Sequence, residues 1–155
     1  MMDSVLAIAW VGVGSALGGM MRYALTLGFE RWMPSSFPLA TLTANVAGSF
    51  VIGCLAMWVQ DGEPLAHLSK HLQRCLMVGV MGGFTTFSSF SLQTLELMQK
   101  GQLTSAILNM VLSLLLCLLA VAWGFKVAKA WYPLGNHPME CDTRHSGRVA
   151  LRGCA

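Results

Sequence analysis

Four long apolar stretches, separated by short polar segments, dominate the pattern of the chain. They cover about residues 5–29, 37–59, 75–98 and 103–125. Each is long enough to cross the hydrocarbon core of a bilayer as a helix, which takes about 20 residues. The segments between them contain Pro, Gly or charged side chains, as turns between helices do. The pattern therefore predicts an all-α integral membrane protein with four transmembrane helices.

Glycines and hydroxyl side chains interrupt the third of these stretches, between Gly79 and Ser91. Three glycines lower the helix propensity there by about 1 kcal/mol each relative to Ala. Thr and Ser residues then alternate with phenylalanines. Backbone that leaves a helix at membrane depth must be buried in protein or line a cavity. We therefore expect the third helix to be broken near the bilayer midplane, beside an ion or substrate site.

Two further stretches carry polar side chains at helical spacing. In the second, Thr41, Asn45 and Ser49 recur every fourth residue and so share one face. In the fourth, Asn109 and Ser113 have the same spacing. A lone membrane asparagine often joins helices, whereas a stripe of three polar residues favours the lining of a path.

The first stretch contains both small residues and a charge. Gly14 and Gly18 have the spacing that lets helix backbones approach closely, which favours a packing face. Arg22 follows the apolar core of this stretch. It either reaches the membrane interface or faces a polar vestibule.

Composition agrees with a membrane protein of one domain. Of the 155 residues, 55% are hydrophobic and 11% are charged, against about 25% charged in soluble domains. We expect residues 1–132 to form the membrane domain and the polar segment 133–155 to be a disordered tail. Much of the net charge of +3 lies in tail arginines, so no basic face for nucleic acid is predicted.

The chain ends bear on processing and topology. The start has no basic region and no clear cleavage site, so we expect a retained span and not a cleaved signal peptide.

Four spans place both termini on one side of the membrane. The positive-inside rule then gives only a weak bias, because basic residues flank the spans on both sides: Lys70, Arg74, Lys126 and Lys129 on the terminal side, and Arg31 and Lys100 on the other.

Other chemistry is weakly indicated. His67 and His71 are four residues apart, but no third metal ligand is obvious, which favours a solvated face. The five cysteines form no CxxC pair and fit a reduced setting. No Ser/His or paired-carboxylate arrangement lies within the spans, so an enzyme is not expected.

Three motifs together resemble those of the Fluc (CrcB) fluoride channels. They are Gly18–Tyr23, Thr43–Gly53 and Gly79–Phe90, the last with the string Gly-Gly-Phe-Thr-Thr-Phe-Ser. The resemblance covers all four spans in order. It implies an antiparallel, dual-topology homodimer with two fluoride pores and a structural sodium ion (Na⁺) on the two-fold axis.

The resemblance also implies roles for individual residues. The pore would be lined by Asn45, Phe84, Thr85, Thr86, Phe87, Ser88, Asn109 and Ser113. Arg22 matches the vestibule arginine, and the main-chain carbonyls of Gly79 and Gly82 match the sodium ligands. Two positions depart from the family string: Ser89 replaces a threonine, and Gln93 replaces an acid.

The function implied is passive, electrodiffusive efflux of fluoride from the cytoplasm across a bacterial inner membrane, which reduces fluoride toxicity. Fluoride is small and strongly hydrated, and neutral amide, hydroxyl and aromatic-edge groups can replace its water without trapping it. The alternative is a small dual-topology coupled exporter, which usually needs a membrane-embedded carboxylate. A third possibility is an assembly subunit that transports nothing.

Overall fold

Helices form the whole framework of the computed structural model, which describes residues 2–33, 35–60 and 65–131. The elements are α1 (Met2–Trp32), α2 (Leu39–Trp58), α3 (Lys70–Arg74), a π-helical segment (Cys75–Val80), α4 (Met81–Phe84), α5 (Phe87–Gln99) and α6 (Leu103–Trp131). Taking Lys70–Gln99 as one segment, four helices of 20 to 31 residues are long and apolar enough to cross a membrane. The prediction of an all-α, multi-pass membrane protein is confirmed.

The helix boundaries differ from the predicted spans by a few residues. The third segment begins at Lys70, five residues earlier than expected, because Ser69 Oγ accepts a hydrogen bond from the Leu72 N–H at 3.3 Å. Gln73 is buried, and the two N–H groups of its side-chain amide are shared among three carbonyls in the preceding turn, those of Leu65, Ala66 and Leu68. The tail predicted for 133–155 lies outside the described residues.

Glycines bring α1 into close contact with the third segment. A Cβ on Gly14 would lie 2.5 Å from the Cys75 carbonyl oxygen and 3.0 Å from the Gly79 Cα. A Cβ on Gly18 would lie 2.7 Å from the Phe84 nitrogen. No side chain fits at either position, so the predicted packing face of α1 is confirmed.

The second and fourth spans form the other close pair. A Cβ on Gly53 of α2 would lie 3.1 Å from the Phe125 nitrogen of α6. Beside it, Cys54 Sγ donates to the Gly124 carbonyl at 3.3 Å, and Cys54, Met57 and Ala128 form a buried cluster. These contacts fix α2 against α6.

A tight turn reverses the chain between α5 and α6. Gly101 has φ +73°, a left-handed conformation that glycine adopts without strain. The Gly101 N–H donates to the Met98 carbonyl at 3.0 Å and the Gln102 N–H to the Leu97 carbonyl at 2.9 Å. The two helices therefore run side by side, and residues of α5 face residues of α6.

Candidate functional site

The third segment leaves helical geometry at Thr85 and Thr86. α4 ends at Phe84 and α5 begins at Phe87, and the two threonines between them are extended, with φ/ψ of −83°/153° and −151°/119°. We call these two residues the Thr85–Thr86 interruption.

The interruption does not lie at the glycines, where the sequence pattern predicts that the backbone leaves the helix. Gly79 lies in the π-helical segment, and Gly82 and Gly83 lie in α4. A Cβ on Gly79 would be 2.9 Å from the Gly14 Cα, and one on Gly83 would be 2.9 Å from the Ser15 Cα. The interruption thus lies within the predicted stretch but after its glycines, because Gly79 and Gly83 pack closely against α1.

Asn45 of α2 pairs with the backbone of the interruption. The Thr86 N–H donates to Asn45 Oδ1 at 2.7 Å, and Asn45 Nδ2 donates to the Thr86 carbonyl at 3.1 Å. In a continuous helix the Thr86 N–H would donate to the Gly82 carbonyl, four residues earlier. The Asn45 side chain thus satisfies both backbone groups of Thr86 and leaves the Gly82 carbonyl without its helical donor.

Hydroxyl groups cap the start of α5. Thr86 Oγ1 accepts from the Ser89 N–H at 3.2 Å, which is an ordinary N-cap bond. The same hydroxyl lies 3.0 Å from Ser88 Oγ and donates to Ser89 Oγ at 3.2 Å. Ser88 therefore belongs to the cap and is not among the residues that line the cavity described next.

A cavity of about 600 Å³ lies beside the interruption. Its polar lining comes from Asn45, Ser49, Thr85, Thr86 and Ser113. Its other lining residues are glycine, cysteine or apolar: Gly48, Ile52, Met77, Met81, Gly82, Phe87, Phe90, Met110, Leu114, Cys117 and Leu118. No Asp, Glu, Lys or Arg from the described ranges lines it, so the cavity combines neutral hydrogen-bonding groups with apolar walls.

The phenylalanines at the cavity are not the pair that the resemblance implies. Phe87 and Phe90 line it, with ring centroids 5.4 Å apart and planes at 46°. Phe84 is absent from the lining and its ring lies instead against Gly48, with Cδ1 3.2 Å from where a Cβ would be. Phe84 and Phe87 stand on opposite sides of the interruption, whereas Phe87 and Phe90 share one helix. The three-residue spacing is the same in both pairs, so only the helix boundary distinguishes them.

Asn109 lies behind the cavity wall and not in it. Its side chain is 1% exposed, and Asn109 Nδ2 donates to Thr94 Oγ1 at 2.9 Å. Ser113, which does line the cavity, donates to Asn109 Oδ1 at 3.5 Å. The four-residue spacing of Asn109 and Ser113 predicts their shared face. It does not predict that Thr94 bonds to Asn109, because a threonine within a helix commonly bonds only to its own helix.

Arg22 reaches the third segment. It is half-buried, and its Nε donates to the Gly83 carbonyl at 3.4 Å. That carbonyl belongs to the last turn of α4, where helical donors run out. His67 and His71 gain no further ligand, since the described ranges contain no group of three or more His, Cys, Asp or Glu residues that could hold a metal.

Comparisons with known proteins agree over the membrane part of the chain. The model of the family described as "CrcB-like protein, Camphor Resistance (CrcB)" matches residues 9–125. A protein of Paramagnetospirillum magneticum named fluoride-specific ion channel FluC is 47% identical over 125 residues, which cover 80% of this chain and 96% of that protein. The protein of the same name from Magnetococcus marinus is 42% identical over 124 residues, which cover 80% of this chain and 98% of that protein. The chain therefore belongs to the CrcB family.

Proposed function

We propose that the chain is a fluoride-selective channel through which fluoride leaves the cytoplasm passively. The observation that carries the proposal is the neutral cavity beside Asn45, in a chain closely similar to proteins named fluoride-specific ion channels. Efflux down the electrochemical gradient would lower cytoplasmic fluoride and so reduce its toxicity. In this role the protein is a channel and not an enzyme.

The hydrogen bonds of the lining identify the donors that remain for an anion. Thr85 Oγ1 donates to the Met81 carbonyl at 2.8 Å, so its proton is already used. Asn45 uses one of its two N–H groups on the Thr86 carbonyl and keeps the other. The Ser49 hydroxyl takes part in no hydrogen bond with other described residues and can donate into the cavity. Ser49 and the second Asn45 N–H are therefore the principal donors to fluoride, because the Thr86 hydroxyl donates to Ser89 Oγ and the Ser113 hydroxyl to Asn109 Oδ1.

Aromatic edges supply the rest of the fluoride environment. The edge of a phenyl ring is the positive part of its quadrupole and attracts an anion. Phe87 and Phe90 present two rings at the cavity, and Phe84 takes no part. A site of ring edges and few donors would hold a small anion more closely than chloride.

The passive mechanism is preferred to coupled export because no charged side chain of the described ranges lines the cavity. A proton-coupled exporter usually needs a carboxylate within the membrane. Gln93 stands where the family string has an acid, and neither acidic nor basic residues of the described ranges line the cavity. With no carboxylate or basic side chain in the path, fluoride moves without a proton partner.

We propose an antiparallel homodimer inserted in both orientations in a bacterial inner membrane. Phe87 supports this, because it is 79% exposed in the single chain although it stands beside the hydroxyl-rich cap of α5. A second copy would cover this ring and complete the pore wall. Weakly asymmetric basic residues at the span ends suit insertion in both directions. In this arrangement the Thr85–Thr86 interruption lies near the bilayer midplane, and Arg22 lines the entrance to the pore.

A structural sodium ion at the interruption is supported by the geometry of one of the two carbonyls expected to bind it. The Gly82 carbonyl has lost its helical donor to Asn45, and a carbonyl oxygen is a ligand that suits a hard cation. Gly79 fits less well, because it is buried against α1 within helical turns. When bound, sodium would join the two copies and add positive charge that attracts fluoride.

Fluoride efflux from liposomes tests the proposal. The purified protein is reconstituted in vesicles loaded with potassium fluoride or potassium chloride, and ion-selective electrodes follow release with and without valinomycin. We expect rapid fluoride release that needs valinomycin, and no chloride release above protein-free vesicles. Equal release of the two anions would contradict the selectivity, and release of neither would favour the assembly-subunit alternative.

A further inference from the structure

A chain of hydrogen bonds runs from the cavity into the contact between α5 and α6. Ser113 Oγ donates to Asn109 Oδ1 at 3.5 Å, Asn109 Nδ2 donates to Thr94 Oγ1 at 2.9 Å, and Thr94 Oγ1 donates to the Phe90 carbonyl at 2.7 Å. All three side chains are less than a tenth exposed. Of these three side chains, only that of Ser113 lines the cavity.

The last bond of this chain determines the direction of the others. A carbonyl oxygen can only accept, so the single Thr94 proton points to Phe90. Thr94 Oγ1 must then accept from Asn109, which turns the amide nitrogen toward Thr94 and the amide oxygen toward Ser113. The Ser113 proton therefore points at Asn109 and away from the cavity. In this state Ser113 shows the cavity its oxygen lone pairs, which repel an anion.

We propose that Asn109 is a positioning residue that withholds the Ser113 proton from fluoride and so weakens fluoride binding in the pore. The Ser113–Asn109 bond is long for a hydroxyl donor, whose usual distance is about 2.7–2.8 Å. Ser113 can therefore turn to an arriving anion, but it must first leave the Asn109 oxygen without its donor. Asn109 Oδ1 therefore competes with fluoride for the Ser113 proton. This competition weakens fluoride binding at Ser113 and helps the ion to leave again. The inference rests on the proposed fluoride-channel function.

Three variants separate this role from simple packing. Asn109→Leu keeps the volume of the side chain and removes the acceptor. Thr94→Val removes the fixed acceptor of Asn109, so the amide can turn its nitrogen to Ser113 and release the Ser113 proton. Thr94→Ser keeps the hydroxyl and serves as the matched control, since it preserves every bond of the chain.

The experiment measures fluoride flux in liposomes against fluoride concentration, for variants that elute from size exclusion as the wild type does. We expect Asn109→Leu and Thr94→Val to lower the half-saturating fluoride concentration about twofold, which is less than the roughly fivefold worth of one ordinary hydrogen bond because the Ser113–Asn109 bond is long. Thr94→Ser should match the wild type. In a Ser113→Ala background neither variant should lower the value further, because the proton they release is gone.

Each other outcome has one meaning. Unchanged or higher half-saturation in Thr94→Val, with Thr94→Ser conducting normally, overturns the positioning role and leaves the channel function intact. Equal effects of Asn109→Leu with and without Ser113 also overturn it, since they show a packing effect. A wild type that carries no fluoride overturns the proposed function and this inference together.

Discussion

Two asparagines of this chain occupy the same local pattern and have different surroundings. Asn45 on α2 and Asn109 on α6 are each followed four residues later by a serine. Asn45 is half-buried, lines the cavity and bonds to the backbone of Thr86. Asn109 is 1% exposed and bonds to the side chains of Thr94 and Ser113.

The difference comes from the partner that each asparagine meets. Thr86 has extended backbone, so its N–H and carbonyl lack helical partners, and an amide can satisfy both. Thr94 lies inside α5, where the backbone bonds internally and only the hydroxyl is available. Consequently Ser49 keeps a free proton at the cavity, while Ser113 gives its proton to Asn109. The spacing of Asn and Ser defines a polar helix face in both cases. The group opposite that face then determines whether the asparagine binds the backbone, as Asn45 does, or fixes the direction of a hydroxyl, as Asn109 does.

The largest expected effect separates the two asparagines directly. Asn45→Leu leaves the N–H and carbonyl of Thr86 without partners in the observed conformation, at about 1–3 kcal/mol each. This cost favours a helical conformation in which the Thr86 N–H donates to the Gly82 carbonyl. We expect fluoride efflux from liposomes to fall about 100-fold or more. Asn109→Leu is the matched control and should keep conducting. Similar loss in both variants would show that the two amides serve the same structural purpose.

The phenylalanines provide the next test, because two of them, Phe87 and Phe90, line the cavity, whereas Phe84 packs against Gly48. Phe87→Ile with Phe90→Ile removes both aromatic rings from the cavity, and we expect efflux to drop about tenfold or more from the loss of two aromatic contacts. Phe84→Ile, a change of the same kind against Gly48, should stay within about twofold. If Phe84→Ile stops efflux while the double variant conducts, the cavity has been assigned to the wrong rings.

The two serines give the smallest effect and the finest comparison. Ser49→Ala removes a free donor, so we expect the half-saturating fluoride concentration to rise about fivefold, the worth of one hydrogen bond. Ser113→Ala removes a hydroxyl whose proton is already engaged, and the value should rise no more than about twofold. Concentration series of liposome flux measure both. A larger effect at Ser113 would contradict the direction inferred for its hydrogen bond.

The sequence predicts the spans from the length of the apolar stretches and the polar faces from four-residue spacing. The apolar stretches ended close to the observed helices, and Gly14 and Gly18 lay on a packing face as their spacing indicated. The glycines of the third stretch do not mark the interruption, because a glycine lowers helix propensity whether it packs closely or lets the backbone bend. The position of the interruption depends on Asn45, 41 residues away from Thr86 in sequence. Periodicity also cannot choose Phe90 over Phe84, since that choice depends on where α5 begins.

A reversal potential shows whether fluoride crosses the neutral cavity passively. The protein is placed in a planar bilayer with a tenfold fluoride gradient, first at equal pH and then with a pH difference across the membrane. A passive fluoride channel should reverse near the fluoride equilibrium potential, about 59 mV from zero for a single charge, and the pH difference should not move it. A reversal potential that shifts with the proton gradient would instead establish coupled transport of fluoride and protons.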